Sequence, residues 1–258
     1  SAKNGTTGSE NTIISESDIA ILDTEDMFTE RDRDTEYDES ECTAISLSDE
    51  ETKCDSDGVK MDGQTVTITE GGTYLLTGSL SNGSVVVDTD KTEKVQLILE
   101  NVSIINEEGA GICVEQADKV FITLADGSTN KIVSNSFTGN EDTNIDGAIF
   151  SREDLTLNGS GTLKITSAAH GIVSKDDLVL TGGVYQIQSE KQGLSGKESV
   201  RIADGTFTIT SGTDAIHSED TDEDTKGFVY ITGGVLTLAA GGDGISSSYV
   251  VQADGGSF

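Results

Sequence analysis

Basic and acidic residues recur in neighbouring positions in the second half of the chain, at gaps of 22 to 23 residues. The basic positions are Arg152, Lys175 and Lys197, followed in the next copy by Glu219. The acidic positions directly after them are Glu153, Asp176, Glu198 and Asp220, with Asp177 beside Asp176. Stacked like charges repel, so each set needs counter-charge from its neighbour, a metal ion or solvent. The pattern fits either a salt-bridge lattice or calcium, which takes six to eight oxygen ligands.

A second acidic set precedes a column of isoleucines. Asp214 and Asp243 belong to it, His170 and Gln192 occupy the equivalent positions, and Asp146 stands one residue before them. Aspartate beside glycine often serves only to form a turn. Turn chemistry is therefore the alternative to metal binding at these positions.

A D-x-D-x-D run, formed by Asp220, Asp222 and Asp224, lies where one gap in the repeat lengthens from 22 to 29 residues. This spacing can wrap carboxylates around one cation. The run departs from an EF-hand because Thr225 stands in the place of the loop glycine and no glutamate occupies position 12. Calcium binding and a solvated acidic loop both remain open.

Composition excludes several classes of partner. The 258-residue chain has 47 acidic and 16 basic residues and a formal net charge of -31. Binding to nucleic acid or an anionic membrane depends on Lys and Arg that displace counterions, so nucleic acid is excluded as a partner. No window approaches 18 consecutive apolar residues, and no transmembrane segment is predicted. The excess of carboxylates favours hard divalent cations, above all calcium.

An internal repeat determines the predicted fold. From residue 148 onwards, four copies and the start of a fifth align, beginning AIFSREDLTLNGSGTLKITS and GIVSKDDLVLTGGVYQIQS. One aliphatic column comprises Ile149, Ile172, Leu194, Ile216 and Ile245, and another comprises Leu155, Leu178, Val200, Val229 and Val251. Each copy is too small to bury its own apolar residues, so the copies must stack.

The repeat predicts an all-β protein, a parallel β-helix over 59–258 built as a single-stranded solenoid with about 22 residues per rung. Thirty glycines and no proline fit short strands joined by glycine turns. Parallel crossovers are nearly always right-handed, so a right-handed helix is expected. Tyr185 and Phe207 share a column with leucines, which places them in the core.

The two ends of the chain carry separate expectations. Residues 1–26 are polar and predict a flexible tether, and 27–58 predict an N-terminal cap. The chain opens without the apolar region of a signal peptide, as expected of a mature product. It stops at Phe258 within a rung, which indicates truncation or an open edge that favours self-association.

The three cysteines lack the close pairs that zinc sites use. Cys42 and Cys54 are expected either to form a disulfide or to remain free thiols.

The rungs resemble the bacterial carbohydrate-binding β-helix proteins once catalogued as a domain of unknown function, which are similar to pectate-lyase-type right-handed β-helices. The stretches VTITEGGTYLLTGSL, HGIVSKDDLVLTGG, GLSGKESVRIADGTF and DAIHSED carry this resemblance, which extends from about Phe28 to the end. It implies a secreted or surface-attached module with structural calcium. It also implies binding of cellulose or of acidic sugars such as polygalacturonate, without assigning sugar-binding residues.

Three functions follow from the residues and the resemblance together. The first is calcium-dependent, non-catalytic binding of a polyuronate along the turns that carry the charged columns, and its candidate ligand-binding residues are Arg152, Lys175, Lys197, Arg201 and His170. Its candidate metal ligands are Asp146, Glu153, Asp176, Asp177, Glu198, Asp214, Asp220, Asp222, Asp224 and Asp243. The second is a calcium-dependent polysaccharide lyase with Lys197 as the base, although nearby carboxylates favour the charged lysine. The third is a surface spacer or adhesin.

Overall fold

Alternation of apolar and polar residues defines the strands of the protein, for which a computed structural model describes residues 22–140 and 143–258. In the strand Thr206–Ser211, Phe207 and Ile209 are buried, while the alternating residues Thr206, Thr208 and Thr210 are exposed. Glycine turns join strands of this kind into a right-handed parallel β-helix of about seven turns. The predicted all-β fold is confirmed.

Three faces, each a stack of strands, surround the core. Face 1 contains β1 (Thr43–Leu47), β4 (Gly72–Leu80), β6 (Lys94–Leu99), β9 (Lys119–Leu124), β12 (Asp154–Gly159), β15 (Asp177–Leu180), β18 (Ser199–Ile202), β21 (Phe228–Ile231) and β24 (Val251–Ala253). Face 2 contains β7 (Ser103–Asn106), β10 (Thr129–Ser134), β13 (Thr162–Ser167), β16 (Val184–Ser189), β19 (Thr206–Ser211) and β22 (Val235–Ala240). The long strand β4 pairs with both β6 and β7 and so joins the two faces.

Face 3 carries the site described below. It contains β2 (Val59–Asp62), β3 (Thr65–Ile68), β5 (Ser84–Asp88), β8 (Ile112–Gln116), β11 (Gly147–Ser151), β14 (His170–Ser174), β17 (Leu194–Gly196), β20 (Ile216–Ser218) and β23 (Ile245–Ser247). All its pairs are parallel except β2 with β3, which closes the N-terminal end as a hairpin.

Helical structure is confined to short pieces. The described residues contain one α-helix, α1 (Glu30–Arg33), and two 3-10 turns, Glu39–Glu41 and Thr138–Asn140. In the two described ranges, no helix has the length and apolar character needed to cross a membrane.

The predicted aliphatic columns are confirmed by the strand register. Leu155 pairs with Leu178, and the column continues through Val200, Val229 and Val251. The column from Ile149 to Ile245 is formed in the same way on face 3. Tyr185 and Phe207 are fully buried and stack at 4.8 Å between ring centroids, so both belong to the core.

The N-terminal segment differs from the predicted tether and cap. Leu22 and Met27 are buried against Phe228 and Tyr230, because the segment lies along the outer side of face 1 and covers apolar side chains there. The predicted boundary at residue 26 therefore does not separate a packed from an unpacked segment. The remainder of the predicted tether, 1–21, lies outside the described residues.

The β-structure also begins earlier than residue 59, because β1, within the predicted cap, pairs in parallel with β4. Cys42, Cys54 and Cys113 are all free thiols, in agreement with the second of the two expectations for Cys42 and Cys54. Self-association at the C-terminal edge stays a prediction.

Candidate functional site

A groove of about 360 Å³ lies on the outer side of face 3, across β14, β17 and β20. Its walls are mostly polar. The charged and hydrogen-bonding residues that line it are Asp146, His170, Ser174, Lys175, Gln192, Ser195, Lys197, His217 and Glu219. The groove therefore brings together four residues predicted from the sequence, namely Asp146, His170, Lys175 and Lys197.

Strand register explains why these residues meet. Ser151 of β11 pairs with Ser174 of β14, Ser174 pairs with Gly196 of β17, and Gly196 pairs with Ser218 of β20. The residues that directly follow these four therefore lie above one another. These are Arg152, Lys175, Lys197 and Glu219, the column that the repeat predicts. Gly196 is part of the groove wall, and a Cβ there would lie 2.0 Å from the Ser199 carbonyl oxygen, so only glycine fits.

Lys175 and Lys197 place their ammonium groups at the groove on successive rungs. Nζ of Lys175 lies 3.7 Å from Oδ1 of Asp146 and 5.4 Å from the centroid of the Phe150 ring. Nζ of Lys197 donates to Oδ2 of Asp222 at 2.8 Å, and this hydrogen bond raises the pKa of Lys197. The side chains are 40% and 41% exposed, so both are accessible to a ligand.

His170 is held in its neutral form. Burial is the main cause that lowers its pKa, to about 4, and the nearby Asp146 carboxylate opposes the shift only in part. Its Nδ1 atom accepts the backbone N–H of Gln192 at 3.2 Å, and its Nε2 atom lies 3.5 Å from Oδ2 of Asp146. The ring is therefore fixed by a contact at each nitrogen.

His217 is a groove residue that the sequence did not assign to the site. Its Nδ1 atom lies 3.1 Å from Oδ2 of Asp214, and its Nε2 atom lies 3.6 Å from Oε2 of Glu219. The alignment of repeats contained the signal that would have identified it, because His217 shares a column with Ser195 and Val173. Both of those residues line the groove.

The acidic column contains a crowded pair, Asp176 and Glu198, which directly follow Lys175 and Lys197 in the sequence. Burial, a hydrogen bond with Glu198 and repulsion by Asp154 raise the pKa of Asp176 to about 7. Burial, followed by the charge of Asp177, also raises the pKa of Asp154. Nζ of Lys226 donates to Oε1 of Glu198 and supplies one counter-charge. Asp176 and Glu198 therefore repel each other, and the pair favours a counter-charge beside it.

Two predicted ligand-binding residues do not line the groove. Arg201 points outward from face 1, where it donates to Oδ2 of Asp177 at 2.7 Å and to the Met27 carbonyl at 3.4 Å. Its position within a strand, rather than at the turn after face 3, accounts for this. Arg152 lies in the predicted column but donates to Oε2 of Glu115 at 2.7 Å and to the Thr143 carbonyl.

Two carboxylates of the D-x-D-x-D run, Asp220 and Asp222, contact other groups of the chain, and calcium binding there stays a prediction. Oδ1 of Asp220 accepts the backbone N–H groups of Asp222 and Glu223, at 2.7 and 3.1 Å, which makes a turn. The Asp222 carboxylate turns to Lys197 instead.

The predicted metal ligand Asp214 likewise serves a turn. Its Oδ1 atom accepts the backbone N–H of Asp243 at 2.8 Å, and its other oxygen faces His217. Glu153, another predicted ligand, uses its backbone carbonyl oxygen to accept hydrogen bonds from the hydroxyl groups of Ser151 and Ser174. Across 22–140 and 143–258, no three carboxylate, imidazole or thiol groups are placed to hold a metal ion by themselves.

Comparison with known proteins agrees with this architecture. A protein from Acetivibrio thermocellus described as "Carbohydrate-binding domain-containing protein" is 35% identical over 137 residues, which are 52% of this chain and 48% of that protein. The match thus spans about half the length of that relative. A solved structure of the polysaccharide lyase-like protein from C. thermocellum, a gadolinium derivative, superposes with a TM-score of 0.76 at 30% identity, covering 84% of this chain and 100% of the other.

The sequence profile of one family covers residues 62–258, which is more than half of the chain and includes every residue of the groove. The resemblance stated from the sequence is thereby confirmed, and the coarse function, carbohydrate binding, follows from it. The chain belongs to the family of carbohydrate-binding domain-containing proteins.

Proposed function

We propose that this chain is a non-catalytic binding protein for an acidic plant cell-wall polysaccharide of the polygalacturonate type, which it meets outside the cell. The observation that carries the proposal is the position of Lys175 and Lys197, whose exposed ammonium groups line one groove on successive rungs. Successive rungs lie about 4.8 Å apart. A polymer with a carboxylate on every sugar can therefore pair with both lysines.

The other groove residues suit the neutral part of such a sugar. The side chains of Gln192 and Ser195 line the groove and offer donors and acceptors for hydroxyl groups. The pKa of His170, lowered by burial to about 4, keeps that ring uncharged at neutral pH. The lysines thus supply the charge, and their neighbours supply hydrogen bonds that fix orientation.

Net charge imposes a condition on this function. A chain with a formal charge of -31 repels a polyanion at distances up to about 8 Å, the screening length at physiological salt. Within the groove, Asp146 and Glu219 balance the two lysines. Attraction therefore depends on close contact, and a divalent cation that bridges protein and ligand carboxylates would strengthen it.

Calcium is part of the proposal because two neighbouring carboxylates of the chain offer oxygen ligands. Asp176 and Glu198 are crowded carboxylates whose mutual repulsion a cation would relieve, and carboxylate oxygens are what calcium prefers. These two residues would hold the ion, which would supply positive charge beside the groove. Because they are fewer than the six to eight oxygens that calcium takes, uronate and water oxygens would complete the site.

The structure favours polyuronate binding over the alternatives. Cellulose recognition usually relies on exposed aromatic rings, whereas Tyr185 and Phe207 are fully buried. A lyase needs a neutral base, but the hydrogen bond from Lys197 to Asp222 raises the pKa of Lys197. His170 has both ring nitrogens engaged. A spacer or adhesin remains the outcome if no glycan binds.

The test measures affinity for polygalacturonate by isothermal titration calorimetry. Lys175→Ala and Lys197→Ala should each weaken binding about fivefold, since an exposed ion pair contributes up to about 1 kcal/mol. Lys164→Ala is the matched control, because Lys164 is an exposed lysine on face 2. EGTA should weaken binding further. Unchanged affinity in the double lysine variant would sink the proposal, and release of unsaturated uronate would show a lyase instead.

A further inference from the structure

We infer that Glu219 ends the proposed polyuronate site, so that the groove pairs with only two consecutive uronate residues of the polymer. This inference rests on the proposed function, because it concerns the length of ligand that the same groove accepts. It makes Glu219 a residue that determines specificity for oligomer length.

The reversal of charge in the column carries the inference. Gly196 pairs with Ser218, so Glu219 occupies on the third rung the position that Lys175 and Lys197 occupy on the first two. Its side chain is 57% exposed, and Oε2 lies 3.6 Å from Nε2 of His217 at the groove. A ligand running along the column meets an ammonium twice and then a carboxylate.

The chain beyond Glu219 strengthens this boundary. Asp222 and Glu223 follow within the insertion, with side chains 72% and 58% exposed. Lys226, the lysine of the insertion, is engaged by Glu198 and Glu223. A third uronate would therefore approach a concentration of negative charge with no opposing cation supplied by Lys226.

The opposite end of the column is also closed to a further carboxylate. Arg152 precedes Lys175, but its Nε atom donates to Glu115 and its NH2 group to the Thr143 carbonyl, at 2.7 and 2.8 Å. Its guanidinium also packs over Phe150, 5.4 Å from the ring centroid. Arg152 does not line the groove, which leaves Lys175 and Lys197 as the lysines or arginines that do.

The experiment titrates galacturonate oligomers of one to six residues by calorimetry in EDTA, so that calcium bridging does not contribute. Wild-type affinity, corrected for the number of equivalent registers on a longer chain, should rise from monomer to dimer and then stay level. Glu219→Lys should move the plateau to the trimer, with about a fivefold gain for that oligomer. Glu219→Gln removes the negative charge without adding a cation, so the affinity for the trimer should rise less than in Glu219→Lys.

Glu50→Lys is the matched control, because Glu50 is exposed in the N-terminal segment and the substitution changes net charge by the same amount. It should leave the plateau at the dimer. Circular dichroism checks that each variant folds. A wild-type affinity that keeps rising to the hexamer and does not respond to Glu219→Lys overturns this inference alone. Absence of binding by every oligomer and by the polymer, both in EDTA and with calcium added, overturns the proposed function, and this inference with it.

Discussion

The Nε2 atom of His170 lies 3.5 Å from Oδ2 of Asp146, while its Nδ1 atom accepts the backbone N–H of Gln192 from the next rung. The imidazole therefore joins two rungs at the groove in its neutral form. Burial lowers its pKa from 6.5 to about 4, against the pull of Asp146. Protonation of this ring costs the folded state free energy that the unfolded chain does not lose.

This depressed pKa predicts a specific pH dependence of stability. Between pH 6.5 and about 4 the unfolded state binds the proton and the folded state does not, so the free energy of unfolding falls as pH falls through this window. The loss amounts to roughly 3 kcal/mol when complete. Urea denaturation of wild type and His170→Gln at pH 7.5 and pH 4.5 measures it. Equal loss in both proteins would contradict the assignment to His170.

Asp176 should act in the opposite direction. Burial and the hydrogen bond with Glu198 raise its pKa to about 7, so the folded state binds a proton that the unfolded state loses above pH 3.8. Stability from this pair is present at low pH and is lost as pH rises towards and through 7. Asp176→Asn should therefore stabilise the protein at pH 8 and change little at pH 3.5. Calcium should stabilise wild type at pH 8 more than the variant.

The buried ion pair between Asp32 and Lys119 should be costly to break. Oδ1 of Asp32 lies 2.8 Å from Nζ of Lys119, and the Asp32 side chain is 3% exposed. Burial acts to raise the pKa of Asp32, but hydrogen bonds from Lys119 and Thr156 overcome it and lower the pKa to about 2. Lys119→Met leaves a buried carboxylate without its partner, at a cost of about 3 kcal/mol. Denaturation at pH 7 measures this, with Lys164→Met as control.

Acid should remove the same contribution. The Asp32 pKa is lower in the folded state, so its stabilisation is present above pH 3.8 and is lost as pH falls towards 2. The difference in unfolding free energy between wild type and Lys119→Met should consequently shrink below pH 3.8. A constant difference from pH 7 to pH 2 would show that packing of the lysine stem, rather than charge, accounts for the effect.

The stacked rings in the core give a prediction for folding alone. Tyr185 and Phe207 are fully buried and nearly parallel, with ring centroids 4.8 Å apart. Phe207→Ala should lower the free energy of unfolding by about 4 kcal/mol, because it opens a cavity in a closed stack. Phe207→Leu should cost less than half as much. Polygalacturonate affinity of whichever variant folds should not change, since the rings face away from the groove.

The fold could be predicted from the sequence because stacking forces equivalent residues into columns. Ile149, Ile172 and Leu194 keep the same place in each copy, and the strand register follows from that spacing. The same logic placed Lys175 and Lys197 together. A repeat therefore reveals both its core and the turns that its copies share.

Contacts that the repeat does not specify could not be predicted in this way. Arg201 was grouped with the groove because it is close in sequence to Lys197, but it lies within β18 and faces Asp177. The position of residues 22–34 depends on hydrogen bonds that Thr156 and Asn158, more than a hundred positions away, donate to the carboxylate and the backbone carbonyl of Asp32. No local pattern encodes such a contact. The Asp220 turn was also hidden, because a capping carboxylate and a metal-binding one look alike in sequence.

The N-terminal segment has a consequence for how this protein unfolds. Residues 22–34 form hydrogen bonds with Gln252 of β24, Thr156 of β12 and Gln96 of β6, which lie far apart along face 1. Stacked repeats otherwise interact only with their nearest neighbours, and their terminal units fray independently. Here residues 22–34 are bonded to rungs that are not neighbours, and so they couple the unfolding of those rungs. Separation of these rungs must also detach the segment. The solenoid should accordingly melt in a single sharp transition, and removal of residues 22–34 should broaden it into successive steps.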